Sequence, residues 1–319
     1  MHKVYLSNTY NPYFNLAFEE YLVRCHNPSD EVLFLWQNKN TVVIGRNQNP
    51  WKECNLEELN IQKGRLVRRL SGGGAVYHDA GNLNFTFISA FSEDKVRENI
   101  NLIIKALSLN DIHAVFSGKN DILVQEYKIS GNAFFVEDDI LCHHGTLLLD
   151  ADLKKMSSIL TVSQKKLDSK GIDSVKSRVK NLKEFNDGIS IEGLKTDLID
   201  TFSPICSRPI IFTVSETSTD DKNITLDNVH KIMNRYEGWE WNFGSSPEFN
   251  LQINERFPWG GVDLYLMIKD GIIAKVEVNT DALDVDLPKK IKDEILNTKF
   301  DYDGLISIVG NVSSKPHCI

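Results

Sequence analysis

The chain has 319 residues, 41% of them hydrophobic and 25% charged, with a formal net charge of −8. That composition fits a soluble globular protein of one large domain plus a small one. The acidic balance argues against a nucleic-acid binder, which ordinarily carries a basic field. Five cysteines (Cys25, Cys54, Cys142, Cys206 and Cys318) are scattered and form no CxxC pair, which points to a reducing compartment rather than a disulfide framework or a zinc site. Met1 to Phe18 has no signal-peptide apolar core, and no stretch approaches the ~18 apolar residues of a membrane span. The expectation is a cytoplasmic protein with neither a nucleic-acid nor a membrane partner.

Taken in chain order, Asn11-Pro12 reads as an N-cap and first helical turn, continued at helical spacing by Leu16, Ala17, Glu20, Tyr21 and Leu22. Val32 to Trp36 and Thr41 to Ile44 read as strands, and Lys39-Asn40 in the short turn between them predicts a hairpin. Further strands are expected at 66–70, 75–78 and 83–88, with a glycine run among them. Residues 93–109 carry apolar side chains at helical spacing (Val96, Ile100, Ile103, Ile104, Leu107). Strands at 121–125, 127–135 and 140–149 follow, then a helix at 152–160. A charged stretch from Ser163 to Lys183 reads as a long loop, and helices near 190–203 and 224–235 close the larger part. The pattern restarts near Ser245, with strands around 249–253, 262–266 and 272–278 and helices at 287–298 and 301–309. Clustered strands with flanking helices predict an α+β fold with a mixed sheet. The domains expected are 1–244 and 247–319.

Four segments carry chemistry. In Arg68-Arg69-Leu70-Ser71-Gly72-Gly73-Gly74-Ala75-Val76-Tyr77-His78, two arginines enter three glycines, and exposed N–H groups beside guanidinium charge suit a phosphate or carboxylate. A sharp hairpin with solvated arginines is the competing reading. In Asn120-Asp121 to Lys128-Ile129-Ser130-Gly131, a strand lysine is ordinarily a solvated edge residue, but the nearby glycine suggests close approach of a ligand or of backbone. In Cys142-His143-His144-Gly145-Thr146, neighbouring strand residues face opposite sides, so the histidines do not share one ion. The fourth is the basic loop through Lys176, Arg178 and Lys180, either a solvated charge run or a binding lid.

Together, in this order, the segments resemble the lipoate–protein ligase family, of the bacterial type that activates free lipoate with ATP. The resemblance covers nearly the whole chain: Trp36-Gln37-Asn38, Val43 to Trp51, the Arg-Arg-x-Ser-Gly-Gly-Gly-Ala-Val block, the Lys128 strand, His143 to Leu148, Ser174 to Val179, Trp239 to Gly244 and Arg256 to Val262. It implies the α+β fold of biotin and lipoate ligases with a small α/β C-terminal accessory domain. The implied reaction is attack of the lipoate carboxylate on the α-phosphorus of Mg·ATP, giving lipoyl-AMP, then transfer to a lysine of a carrier domain. The carriers implied are the glycine-cleavage H protein and the E2 subunits of 2-oxoacid dehydrogenases. The expected assembly is a monomer.

The resemblance makes Lys128 the catalytic residue, a compact charge between the two reacting anions. For the nucleotide and adenylate it implies Arg69, the main chain of Gly74, Ala75, Val76 and Tyr77, and His78 with Asn82. Asn120, Asp121, Lys128, Lys176 and Arg178 complete that set, with Asp121 holding Mg²⁺ through the nucleotide. For lipoate it implies an apolar tunnel beginning at Trp36, together with Arg69, Ser71, Gly72, Gly73 and Lys128. Gly131, His144 and Gly145 close the lipoate set. The alternative is a lipoyl or octanoyl transferase of the same fold that uses no ATP and works through a Cys142 thioester.

Overall fold

The computed structural model describes residues 1–118, 120–161, 179–203, 208–243 and 251–312. Its centre is an eight-stranded mixed sheet built from β1 (His2–Ser7), β2 (Glu31–Trp36), β6 (Asn82–Ala90), β7 (Ala114–Ser117), β8 (Asp121–Val124), β9 (Tyr127–Glu137), β10 (Ile140–Leu148) and β11 (Ile210–Val214). The strand order is β11-β1-β2-β6-β10-β9-β8-β7. β1 runs parallel to both β11 and β2, and the remaining pairings are antiparallel.

Both faces of this sheet are covered, which explains why β2 is apolar at every position from Val32 to Trp36 rather than alternating. Leu33, Leu35, Leu83, Phe85 and Leu141 face one side and pack on Val96, Ile100 and Ile103 of α4 (Lys95–Ser108) and on Leu194 and Leu198 of α6 (Ile191–Phe202). Phe34, Trp36, Ile88 and Cys142 face the other side and meet Phe14 and Phe18 of α1 (Pro12–Arg24) and Val229 of α7 (Leu226–Glu237). Helix α1 starts where the sequence predicts: the Asn11 side chain accepts the Tyr13 N–H, with Pro12 in the first turn.

A second sheet holds β3 (Thr41–Ile44) between β4 (Arg65–Arg68), parallel to it, and β5 (Val76–His78), antiparallel. The predicted β2–β3 hairpin is therefore absent: the two strands belong to different sheets. The physical reason lies in the link. Gln37 and Asn38 are buried, and Asn15 Nδ2 donates to the Gln37 carbonyl (2.9 Å) and to Asn38 Oδ1 (3.0 Å). Gln37 also donates to the Ala80 carbonyl at 2.8 Å. A connection anchored through buried polar groups carries the chain from one sheet to the next instead of folding it back. Short helices α2 (Pro50–Glu53) and α3 (Leu56–Ile61) lie between β3 and β4, α5 (Leu153–Ile159) follows β10, and α8 (Trp239–Phe243) follows α7.

The C-terminal segment forms a third, antiparallel sheet of β12 (Leu251–Phe257), β13 (Gly260–Lys269) and β14 (Ile272–Thr280), packed with α9 (Leu287–Ile295) and α10 (Tyr302–Asn311) around its own core of Leu264, Leu266, Leu287, Ile291 and Ile295. The expected boundary near 244–247 lies outside the described residues. Gly73 N–H donates to the Ala282 carbonyl and Thr280 N–H to the Asn47 carbonyl, both at 2.8 Å. Lys52 pairs with Asp263 at 3.3 Å, and Asn49 donates to the Tyr265 hydroxyl at 3.1 Å.

Candidate active site

A cleft of about 590 Å³ opens where the second sheet, β8–β10 and the C-terminal segment meet. Most of the residues singled out from sequence converge on it: Trp36, Arg69, Gly73, Gly74, Ala75, Val76 and His78 from one side, and Asn120, Asp121, Lys128, Gly131, His144 and Gly145 from the other. Four do not line it. Tyr77 points the opposite way, into the core under β3, where its hydroxyl donates to Asn40. Asn82 sits behind the wall and donates to Asn84 Oδ1 at 2.8 Å. Ser71 and Gly72 lie beneath the turn, Ser71 fully buried. Lys176 and Arg178 lie outside the described residues.

The three glycines serve three different ends. A Cβ on Gly72 would meet the Ala282 carbonyl oxygen at 2.4 Å, so this position is kept bare by the C-terminal segment. Gly73 has φ of +89°, a left-handed conformation that favours glycine. Gly74 faces open space, with no described atom within 4 Å of a built Cβ. Only Gly74 leaves room for a ligand, which revises the reading of the whole run as an anion cradle.

The two arginines also divide. Arg68 never reaches the cleft: its guanidinium donates to the carbonyls of Gly45, Arg46, Gln48, Trp241 and Asn242. Arg69 lines the cleft but spends four hydrogen bonds on its own chain: Nε to Ser71 Oγ (2.9 Å), Nη1 to the Val43 carbonyl (3.2 Å), and Nη2 to the carbonyls of Gly72 (2.6 Å) and Gly74 (2.9 Å). Burial lowers its pKa to about 10, against an opposing pull from the Glu19 carboxylate, so it keeps its charge at neutral pH. In this arrangement Arg69 is the brace of the turn.

Lys128 projects across the mouth. Its ammonium lies 2.6 Å from Asp121 Oδ1, and both side chains are about one-third exposed (33% and 37%). A Cβ on Gly131, on the same strand, would sit 3.1 Å from Lys128 Nζ and crowd the ammonium. Gly145 likewise clears the way for Phe85, which a Cβ would meet at 2.4 Å.

His78 and Asn84 add two buried donors. Asn38 Nδ2 lies 3.2 Å from His78 Nδ1, which places the His78 proton on Nε2. That Nε2 and the Asn84 Nδ2 are both buried without a hydrogen-bond partner among the described residues. Burial, with the charge of Arg69 beside it, lowers the His78 pKa to about 3, so the ring is neutral. Unpaired buried donors in a cleft call for acceptor atoms on a ligand.

The histidine pair behaves as strand geometry requires. His144 faces the cleft, whereas His143 turns to the opposite core between Phe85 and Phe87, its Nε2 3.1 Å from Asn132 Oδ1 and its pKa lowered to about 3 by burial. Cys142 is fully buried and does not line the cleft, and burial pushes its thiol well above the ordinary range. Sequence reasoning missed Glu19, which contacts His144 Nδ1 at 3.0 Å, and the C-terminal contributors Arg256, Trp259 and Asp281. Glu19 reads in sequence as one of two glutamates on a helix, and only the packing of α1 on β10 makes it special.

Comparison with known proteins identifies the family. The family model for the lipoyl protein ligase A/B catalytic domain matches residues 11–203, and that for the bacterial lipoate protein ligase C-terminus matches 246–317. The chain is 42% identical over 294 residues to the lipoate-protein ligase A of Psychrobacter cryohalolentis, covering 91% of this chain and 86% of that one. Its fold superimposes on the crystal structure of P. falciparum LipL1 in complex with lipoate with a TM-score of 0.81 and 30% identity, over 97% of this chain and 94% of that one. A crystal structure of lipoate-protein ligase A bound with ATP gives a TM-score of 0.63 at 25% identity, over 76% of this chain and 98% of that one. The chain belongs to the lipoate–protein ligase family of enzymes.

Proposed function

We propose that the protein activates free lipoate with ATP and transfers the lipoyl group to a lysine of a lipoyl carrier domain. The single observation that carries this reading is Lys128, a cation held in the cleft between the apolar floor at Trp36 and the polar mouth at Asp121, with Gly131 left bare beside it. In the first step a lipoate carboxylate oxygen attacks the α-phosphorus of ATP and pyrophosphate leaves. In the second, the neutral amine of a carrier lysine attacks the acyl carbonyl, AMP leaves, and the amine's extra proton passes to solvent. Lys128 screens the two anions in step one and exchanges Asp121 for substrate oxygen. His78 Nε2–H and Asn84 Nδ2–H donate to substrate oxygens, and the open face at Gly74 admits the nucleotide. Trp36 and Leu16 bury the hydrocarbon of lipoate.

Asp121, with Glu126 lining the same mouth, offers hard oxygen donors of the kind Mg²⁺ accepts alongside phosphates. When bound there, Mg²⁺ would neutralise phosphate charge. Residues 1–244 would carry both steps, with 247–319 as an accessory unit closing the cleft. The carriers proposed are the glycine-cleavage H protein and E2 subunits; support comes from a structural neighbour at 25% identity whose study includes its E2 lipoyl domain. A monomer located in the cytoplasm completes the reading, and among the described residues no helix is long and apolar enough to cross a membrane. The buried, neutral Cys142 thiol gives no support to a thioester transferase.

The test is Lys128→Ala. A folded variant with unchanged Tm is expected to lose nearly all lipoate-dependent pyrophosphate release. Release at near the wild-type rate would refute the role.

A further inference from the structure

A chain of buried hydrogen bonds leaves the cleft floor and returns to the glycine turn, and the reaction above makes no use of it. The Trp36 indole Nε1–H donates to Thr86 Oγ1 at 3.0 Å, and the Thr86 hydroxyl donates to Glu19 Oε2 at 2.6 Å. Both Glu19 oxygens lie 3.0 Å from His144 Nδ1. His144 Nε2 lies 2.7 Å from Ser71 Oγ, which accepts the Arg69 Nε–H at 2.9 Å. Trp36, Thr86, Glu19, His144, Ser71 and Arg69 are all buried.

Counting donors gives the chain a direction. An indole N–H only donates, so the Thr86 hydrogen is free for Glu19. An ionised carboxylate only accepts, so His144 carries its proton on Nδ1. The Ser71 hydroxyl hydrogen has two acceptors in reach, the Gly72 carbonyl at 3.4 Å and the His144 Nε2 lone pair at 2.7 Å. The shorter contact assigns the hydrogen to Nε2, and the Ser71 lone pairs receive Arg69. The remaining Arg69 donors clamp the carbonyls of Val43, Gly72 and Gly74, which sets the wall of the cleft.

We infer that Glu19 is a positioning residue: by fixing His144 as the Nδ1–H tautomer it orients Ser71, and through Ser71 the Arg69 guanidinium and the glycine wall against which the acyl-adenylate forms. The catalytic consequence rests on the activation reading above; the tautomer does not. Because the carboxylate does not line the cleft and stands three hydrogen bonds from the Arg69 guanidinium, it acts without touching substrate phosphate.

The experiment uses the full-length protein with ¹⁵N-labelled histidine and no substrate, the His144 signals being identified by their loss in His144→Asn. Wild type is expected to show Nδ1 protonated and Nε2 bare. In Glu19→Gln the new carbonyl must take the Thr86 hydrogen, so the amide N–H faces His144 and the tautomer inverts. Ser71 then receives two donors, and its own hydrogen is left with the Gly72 carbonyl at 3.4 Å. The expected cost is about tenfold in kcat/KM for pyrophosphate release from ATP and lipoate, the scale of one charge-assisted hydrogen bond. In a Ser71→Ala background the same substitution should cost less than about twofold, because the effect travels through Ser71. If Glu19→Gln does not fold, Ser71→Ala alone serves, since Glu19 should hold its His144 in the Nδ1–H form.

A protonated Nε2 in wild type, an unchanged tautomer in Glu19→Gln, a switched tautomer in Ser71→Ala, or losses that simply multiply in the double variant would each overturn the inference. No pyrophosphate release from wild type, with the tautomer and its inversion both seen, would overturn the activation reading while supporting the relay.

Discussion

Gly72 and Gly74 are chemically identical neighbours, yet substitution should separate them. Gly72→Ala forces a Cβ to within 2.4 Å of the Ala282 carbonyl oxygen, against backbone that must then shift. Its Tm should fall and the C-terminal segment should be displaced from the turn. Gly74→Ala meets open space, so its stability should stay within about 0.5 kcal/mol of wild type while KM for substrate rises. Thermal melts with steady-state kinetics on both variants check this, and equal loss of Tm would contradict the division. The glycine run stood out in sequence as a place of close approach, but its partners did not, because Ala282 and Leu283 are more than 200 residues distant in the chain. The same holds for Glu19: its residue type was visible, its neighbour His144 was not.

At the scale of elements, Arg68 ties the end of β4 to the Gly45–Gln48 loop and to α8 by five carbonyl contacts made with one planar group. Lysine keeps the charge but not the fork. Arg68→Lys should therefore destabilise by about 3 kcal/mol, near the lower end for disrupting a buried charged network, with the cleft's own residues untouched. Urea unfolding measures it, and a change under about 1 kcal/mol would argue that water replaces the lost contacts. Long periodic elements were legible: α4 was expected at 93–109 and spans Lys95–Ser108, and β8 to β10 lie where alternation placed them. β1, β7 and β11 were not, because short strands with exposed positions such as Val115, Ile210 and Ile211 carry little pattern. The β2–β3 hairpin was expected from spacing alone, and spacing does not register that Gln37 and Asn38 are anchored by Asn15.

For the whole molecule, two buried neutral histidines link stability to pH. His78 and His143 have folded pKa values near 3 against about 6.5 when unfolded, so the unfolded chain binds protons that the folded chain refuses. Stability is complete above pH 6.5 and is lost as pH falls from there toward 3, by about 2 kcal/mol per histidine at pH 5. Denaturant unfolding at pH 7.5 and 5 should show this loss, and His143→Gln should remove about 2 kcal/mol of it; a slope unaffected by that substitution would contradict the account. The two-part organisation was legible from the restart of alternation near Ser245. That the second part lines the cleft through Arg256, Trp259 and Asp281 was not, since packing between parts leaves no periodicity. The central claim, that one cleft joins lipoate to a carrier through an adenylate, is tested most directly by incubating the protein with lipoate, α-labelled ATP and each purified carrier domain. Labelled AMP should appear in step with a lipoyl mass gain on the carrier, both requiring ATP and lipoate. Carrier modification without ATP cleavage, or AMP release with no modified carrier of either class, would contradict it.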